Sequence, residues 1–152
     1  MSIDNIGDIA PRVQYVASAS QTAFDYPFPI FEQTDIRVDV DGILQTLSTN
    51  YTVSGVTNDT GGTVTFTTGL SAGDIVTLWR DTSIQRTTDY QQNGPLRSAA
   101  INDDFDRLTV IAQELESGLV RTVRLPVTDT QSDGELANVE TRKGKYLFFD
   151  AV

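Results

Sequence analysis

The chain has 152 residues, of which 11 are Lys or Arg and 21 are Asp or Glu, for a net charge of −10; it contains neither Cys nor His. The missing Cys and His exclude disulfides, thiol chemistry, the common zinc ligands and any Ser-His-Asp or Cys-His catalytic arrangement. The acidic balance opposes binding to nucleic acid and to anionic membranes, so we expect neither partner.

Residues 1–11 are the first predicted segment. Ile3, Ile6 and Ile9 lie among polar residues and Pro11 ends the segment, which predicts an extended, loosely tethered arm; one helical turn pressed against a partner is the alternative. The start is acidic where a signal peptide is basic, and no run approaches the ~20 apolar residues of a membrane span. Export through a signal sequence therefore has no support.

Residues 12–97 are predicted to form a β domain. Short runs rich in Val, Ile, Thr, Tyr and Phe, most of them alternating with polar residues, predict seven strands, at residues 12–17, 23–28, 35–40, 43–47, 51–54, 63–67 and 75–81. Asp41-Gly42 is a strong two-residue hairpin signal. The pattern indicates a mainly β fold, either a small sandwich or a barrel-like domain.

Two features of the β domain concern its surface. Pro27 and Pro29 cannot donate a ladder hydrogen bond, which places their segment at a sheet edge or a strand end. Trp79 belongs to an alternating strand, and we interpret it as core or interface packing rather than as a platform for a sugar.

Residues 98–120 are predicted as one amphipathic helix. Ser98 is the expected N-cap, and Asn102, Asp103 and Asp104 suit the positive end of the helix dipole. Gly118 lies at the end of the helix or shortly before it. An apolar stripe with alternating spacings of four and three residues follows one face: Ile101, Phe105, Leu108, Ala112, Leu115 and Leu119.

The apolar stripe allows two interpretations. Over three heptads the periods 3.5 and 3.6 drift apart by only ~20° per heptad, so the spacing does not separate a coiled-coil seam from a face packed on the β domain. Ile111 widens the apolar face, and the helix is therefore also able to serve both purposes. Residues 121–152 are polar up to a late apolar patch at 146–149 and are predicted to be a linker.

The sequence offers no credible catalytic, cofactor or metal site. Asp103, Asp104 and Asp106 point in different directions on a helix, where they favour a solvated face over a metal site. Asp39 and Asp41 are better explained by the hairpin than by a calcium loop, which lacks its third ligand before Gly42. We therefore expect no enzyme, cofactor or metal.

The chain resembles the amino-terminal, virion-anchoring domain of tail fibres and tailspikes from short-tailed, T-seven-like bacteriophages. The resemblance runs from about residue 13 to residue 126 and lies in the order of its motifs: YVASASQTAFDYPFPIF, DGILQTL with NYTVSG, LSAGDIVTLWRDTSIQRTTDY, NGPLRSAAINDDFDRLTVIAQELE and RTVRLP. It implies a non-enzymatic homotrimer in the virion tail, made in the host cytoplasm and bound to the tail adaptor and nozzle proteins. Host recognition would lie in a C-terminal region or in a separately docked receptor-binding protein.

The resemblance also changes what we expect of individual residues. It favours the apolar stripe as the trimer seam. Large interfaces use aromatic anchors, so for such a docking role we expect four aromatic residues in the core or in tail docking: Tyr26, Phe28, Phe31 and Trp79. A carbohydrate-binding β-sandwich that contacts host polysaccharide is the alternative function.

Overall fold

The computed structural model of the protein describes residues 6–86, 88–90, 92, 94–95 and 97–122. The chain divides into two compact units, Met1–Arg121 and Thr122–Val152, and the first contains all the described elements. The first five residues of the predicted arm lie outside the described residues. So does the predicted linker, except for its first two residues.

The predicted mainly β fold is confirmed. The described residues contain seven strands and one long helix, in this order: β1 Arg12–Val16, β2 Gln21–Tyr26, β3 Ile36–Val40, β4 Ile43–Leu44, β5 Tyr51–Ser54, β6 Gly62–Leu70, β7 Ile75–Arg80 and α1 Ser98–Val120. A short 3₁₀ turn, Gln33–Asp35, leads into β3.

The strands form two antiparallel sheets. One has the order β1-β7-β3-β4 and the other the order β2-β6-β5, so the described part of the chain is a sandwich and not a closed barrel. Alternate residues of both sheets point inward, as period-two sequences require. Their apolar side chains form one core: Ala17, Phe24, Tyr26, Phe28, Ile30, Ile36, Val38, Tyr51, Val53, Val64, Phe66, Val76 and Leu78.

The segment around Pro27 and Pro29 follows an edge strand, as the two prolines predicted. Among the described residues β2 pairs with β6 alone, and the chain then passes inward so that Phe28, Pro29 and Ile30 are buried. The Tyr15 hydroxyl donates to the Asp25 carbonyl at 2.7 Å and covers part of the β2 edge.

The Asp41-Gly42 hairpin is also confirmed. Val40 pairs with Ile43, and the two turn residues have φ values of 52° and 83°. Both lie in the left-handed region that a tight two-residue hairpin requires.

Two local expectations are wrong. Arg97, with extended backbone angles, is the N-cap of α1, and Ser98 is its first helical residue; no side chain caps this end. The start of the helix is held instead by the Tyr90 hydroxyl, which donates to the Ala100 carbonyl at 3.2 Å. Residues 6–11 are also not loosely tethered, because Pro11 is buried and its carbonyl accepts from the Arg80 amide at 2.9 Å.

Candidate functional site

The apolar stripe lies on the solvent-exposed face of α1. Phe105, Leu108, Leu115 and Leu119 are between 56% and 63% exposed. Ala112 is exposed as well, and Ile101 is half-buried. Val110, about half a turn away from the stripe, is fully buried. The helix therefore packs on the β domain through the face opposite its apolar stripe.

A buried arginine joins that opposite face to the β domain. Arg80, the last residue of β7, is 3% exposed. Its Nε donates to Glu114 Oε1 at 2.9 Å, and its Nη2 donates to Gln113 Oε1 at 2.9 Å and to the Val110 carbonyl at 3.3 Å. One guanidinium thus binds three residues of the helix.

The same guanidinium also binds the β domain. Its Nη1 donates to the Pro29 carbonyl at 2.9 Å, and its central carbon lies 5.7 Å from the centroid of the Phe28 ring. Burial lowers the pKa of Arg80, while the hydrogen bond and the negative charge of Glu114 oppose that fall. The paired carboxylate supplies the opposite charge that a buried guanidinium needs.

The two helix side chains that bind Arg80 make further hydrogen bonds. Glu114 accepts from the Thr82 amide at 3.1 Å and from the Thr82 hydroxyl at 2.8 Å. The Gln113 side-chain amide donates to the Gly7 carbonyl at 2.7 Å, which attaches the N-terminal segment to the same turn of α1. We call Arg80, Thr82, Gln113 and Glu114 the helix clamp.

A strap, residues 82–86 and 88–90, follows one flank of the helix. The hydroxyls of Thr88 and Tyr90 donate to the Asp104 carboxylate at 2.8 and 2.9 Å, and these two bonds lower the pKa of Asp104. Arg107 donates to the Ser83 carbonyl at 3.3 Å. Asp104 therefore has a structural partner set, and within the described residues no group of three His, Cys, Asp or Glu side chains is able to hold a metal.

The four singled-out aromatic residues do not converge on one site. Tyr26 and Phe28 are buried in the core. Phe31 is half-buried, with the Arg107 guanidinium 5.1 Å from its ring centroid. Trp79 is half-buried on the outer face of the four-stranded sheet, where it pairs in register with Arg12 and Arg37.

Sequence reasoning missed the helix clamp. The sequence pattern indicates part of it. Arg80 follows Val76 and Leu78 at spacings of two residues, so it lies on the same inward face of β7, and all three residues are buried. An arginine that points into the protein requires a hydrogen-bond acceptor, because a buried charge without a partner is costly. The pattern gives no indication that Glu114 is that acceptor.

No helix in the described part of the chain has both the length and the apolar composition needed to cross a membrane.

Comparison with known proteins identifies one informative relative. No family model matches the chain. The chain is 29% identical over 117 residues to the tail spike protein of Salmonella phage epsilon15. The match covers 74% of this chain and 11% of that protein, so the chain spans a small part of its relative's length. The similarity supports a relation to phage tail spike proteins.

Proposed function

We propose that this chain is a structural part of a phage virion tail, namely a homotrimeric N-terminal anchor that attaches a tail spike or fibre to the tail adaptor and nozzle proteins. Host recognition then belongs to a C-terminal or separately docked part. The observation that carries the proposal is the apolar stripe, which stays exposed on a helix fixed to the β domain. The similarity to a phage tail spike supports the virion location.

The stripe has the composition of a subunit contact. A seam of apolar side chains at alternating spacings of three and four residues is the pattern that drives helices to associate. Four large side chains of the stripe are each more than half exposed, although the rest of the described chain buries a well-formed core. Association of three copies removes these side chains from water.

The β domain offers a second surface, which we assign to the tail. Apolar side chains are exposed on or beside the four-stranded sheet, away from α1: Val16, Ile43, Leu44 and Ile75. Exposed apolar patches of this kind on soluble domains commonly serve as binding sites. Both surfaces bind protein, and the proposed role is one of assembly and not catalysis.

Solution mass tests the trimer. Light scattering is expected to give three times the chain mass of 16.6 kDa at micromolar concentration. Leu108→Asp is expected to give the mass of one chain, because it places three carboxylates in the seam. Leu108 is 62% exposed in the single chain, so this variant keeps the monomer fold, and circular dichroism checks that it does.

Ile43→Asp is the matched control, because Ile43 is 67% exposed but lies in the β3–β4 hairpin. It is expected to leave the mass unchanged. A monomeric wild-type chain, or a Leu108→Asp variant with the wild-type mass, would contradict the trimer seam.

Electron cryomicroscopy of virions that carry this protein tests the anchor. The β domain is expected against the tail, with α1 directed away from it. A position at the distal end of the spike, together with glycan binding that is lost on Trp79→Ala, would instead favour the carbohydrate-binding alternative.

A further inference from the structure

The two flanks of the apolar stripe are not equivalent. With about 3.6 residues per turn, Asp104 and Ile111 lie on one side of the stripe, and Asn102, Thr109 and Glu116 lie on the other. The strap covers the first flank. We call these the strap flank and the open flank.

A groove runs between the strap and the helix. Its lining consists of Ile84, Gln85, Arg86, Asp104, Arg107, Leu108 and Ile111, and its volume is about 350 Å³. Ile84, Leu108 and Ile111 give the groove an apolar wall, and Leu108 belongs both to the groove and to the stripe. It is therefore continuous with the proposed trimer seam.

The strap presents an unusual residue beside this groove. Ile84 is 78% exposed, the highest fraction among the large apolar side chains of the described residues. Its neighbours Gln85 and Arg86 are exposed too. An isolated exposed isoleucine is ordinary, but this one extends a groove that already joins an exposed apolar seam.

We infer that the strap is part of the subunit interface, and that the groove on each copy receives the open flank of the next copy's helix. This inference rests on the proposed trimer. In a parallel three-helix seam, one flank of each helix faces the opposite flank of its neighbour. Each copy therefore places its strap against Thr109 of the next copy. Three such contacts, each between two different surfaces, close into a ring around the threefold axis.

Charge supports this pairing of flanks. Arg86 lines the groove, and its guanidinium lies over the Tyr90 ring at 5.5 Å. The open flank presents Asn102, Thr109 and Glu116, none of which is basic. Two strap flanks together would bring Arg86 and Arg107 of both copies close to each other, and this repulsion favours the pairing of a strap flank with an open flank.

Disulfide trapping tests the contact, and the chain is suited to it because it has no Cys. Oxidation of the full chain carrying Ile84→Cys and Thr109→Cys is expected to give covalent species of two and three chains on a non-reducing gel. Such trapping requires the two Cα atoms to approach within about 7 Å. Ile84→Cys with Asp103→Cys is the matched control, because Asp103 is exposed on the side of the helix away from the stripe. It is expected to stay uncrosslinked between chains.

A second variant is independent of cysteine geometry. Ile84→Asp is expected to raise the concentration at which the trimer dissociates by about tenfold or more, as loss of one apolar anchor does. A trimer that Leu108→Asp dissociates, but that neither crosslinks through 84 and 109 nor weakens with Ile84→Asp, overturns the strap contact alone. Equal crosslinking of the control pair overturns it as well. A chain that is monomeric from the start overturns the proposed trimer itself.

Discussion

Gly61 shows how tightly a single residue is constrained in this fold. It lies in the turn before β6 with a φ of 84°, and a Cβ placed there would lie 1.9 Å from the Tyr26 carbonyl oxygen. Gly42 has nearly the same φ, 83°, but no heavy atom lies within 4 Å of its Cβ position. Comparison of the two glycines therefore distinguishes two costs of adding a side chain. Both positions share the cost of a left-handed backbone, but only Gly61 adds a steric collision.

Gly61→Ala is expected to cost several kcal/mol of unfolding free energy. A left-handed conformation costs an L-residue about 1–2 kcal/mol, and the backbone collision adds to it. Gly42→Ala is the control, and its loss of unfolding free energy is expected to equal the cost of the left-handed conformation alone. Urea titration of both variants with an unchanged m-value gives the comparison. Equal losses in the two variants would show that the approach of Gly61 to Tyr26 is unimportant.

Residue-level prediction worked where chemistry is local. Asp41-Gly42 specified its hairpin, and Pro27 and Pro29 indicated an edge, because backbone conformation and a missing donor are properties of the residues themselves. Arg80 escaped prediction because its meaning depends on Glu114, which is 34 residues away in sequence. No local pattern connects the two residues.

At the scale of elements, the helix clamp fixes α1 to the sandwich. Removal of one partner from a buried ion pair typically costs 3–5 kcal/mol, because the other charge stays buried and unpaired. Arg80→Met is expected to fall in this range and to speed hydrogen exchange in α1 more than in β6. Exchange measured by mass spectrometry and urea unfolding provide the two readouts.

The Arg37–Asp81 pair is the matched control for the clamp. It has the same Nε-to-carboxylate geometry at 3.0 Å, but its side chains are 48% and 57% exposed. Arg37→Met is expected to change stability by at most about 1 kcal/mol. If Arg80→Met were as mild, packing around Val110 would have to hold the helix without the clamp.

The helix and the strands were predictable as elements, whereas the orientation of the helix was not. Periodicity located the apolar stripe correctly on one face of residues 98–120. It left open which face meets the β domain, because Val110, Gln113 and Glu114 form a contact that is mostly polar. The spacing of apolar residues cannot predict a contact surface that is held by hydrogen bonds between polar groups.

At the scale of the whole molecule, self-association has a thermodynamic signature. If three folded copies bind one another and the unfolded chain does not, stability rises with concentration. The Tm is therefore expected to fall by some degrees on a hundredfold dilution of the wild-type chain. Leu108→Asp is expected to remove this dependence, and scanning calorimetry measures it. A wild-type Tm that is independent of concentration would contradict the trimer.

The position of Arg80 has a mechanical consequence. β7 lies inside its sheet, between β1 and β3, and its last residue binds the carbonyl of Val110 and the side chains of Gln113 and Glu114, within about one turn of α1. A pull on α1 is therefore transmitted through Arg80 to a strand that is paired on both sides. Such a strand leaves its sheet only when the hydrogen-bond ladders on both sides break, whereas an edge strand has one ladder to lose.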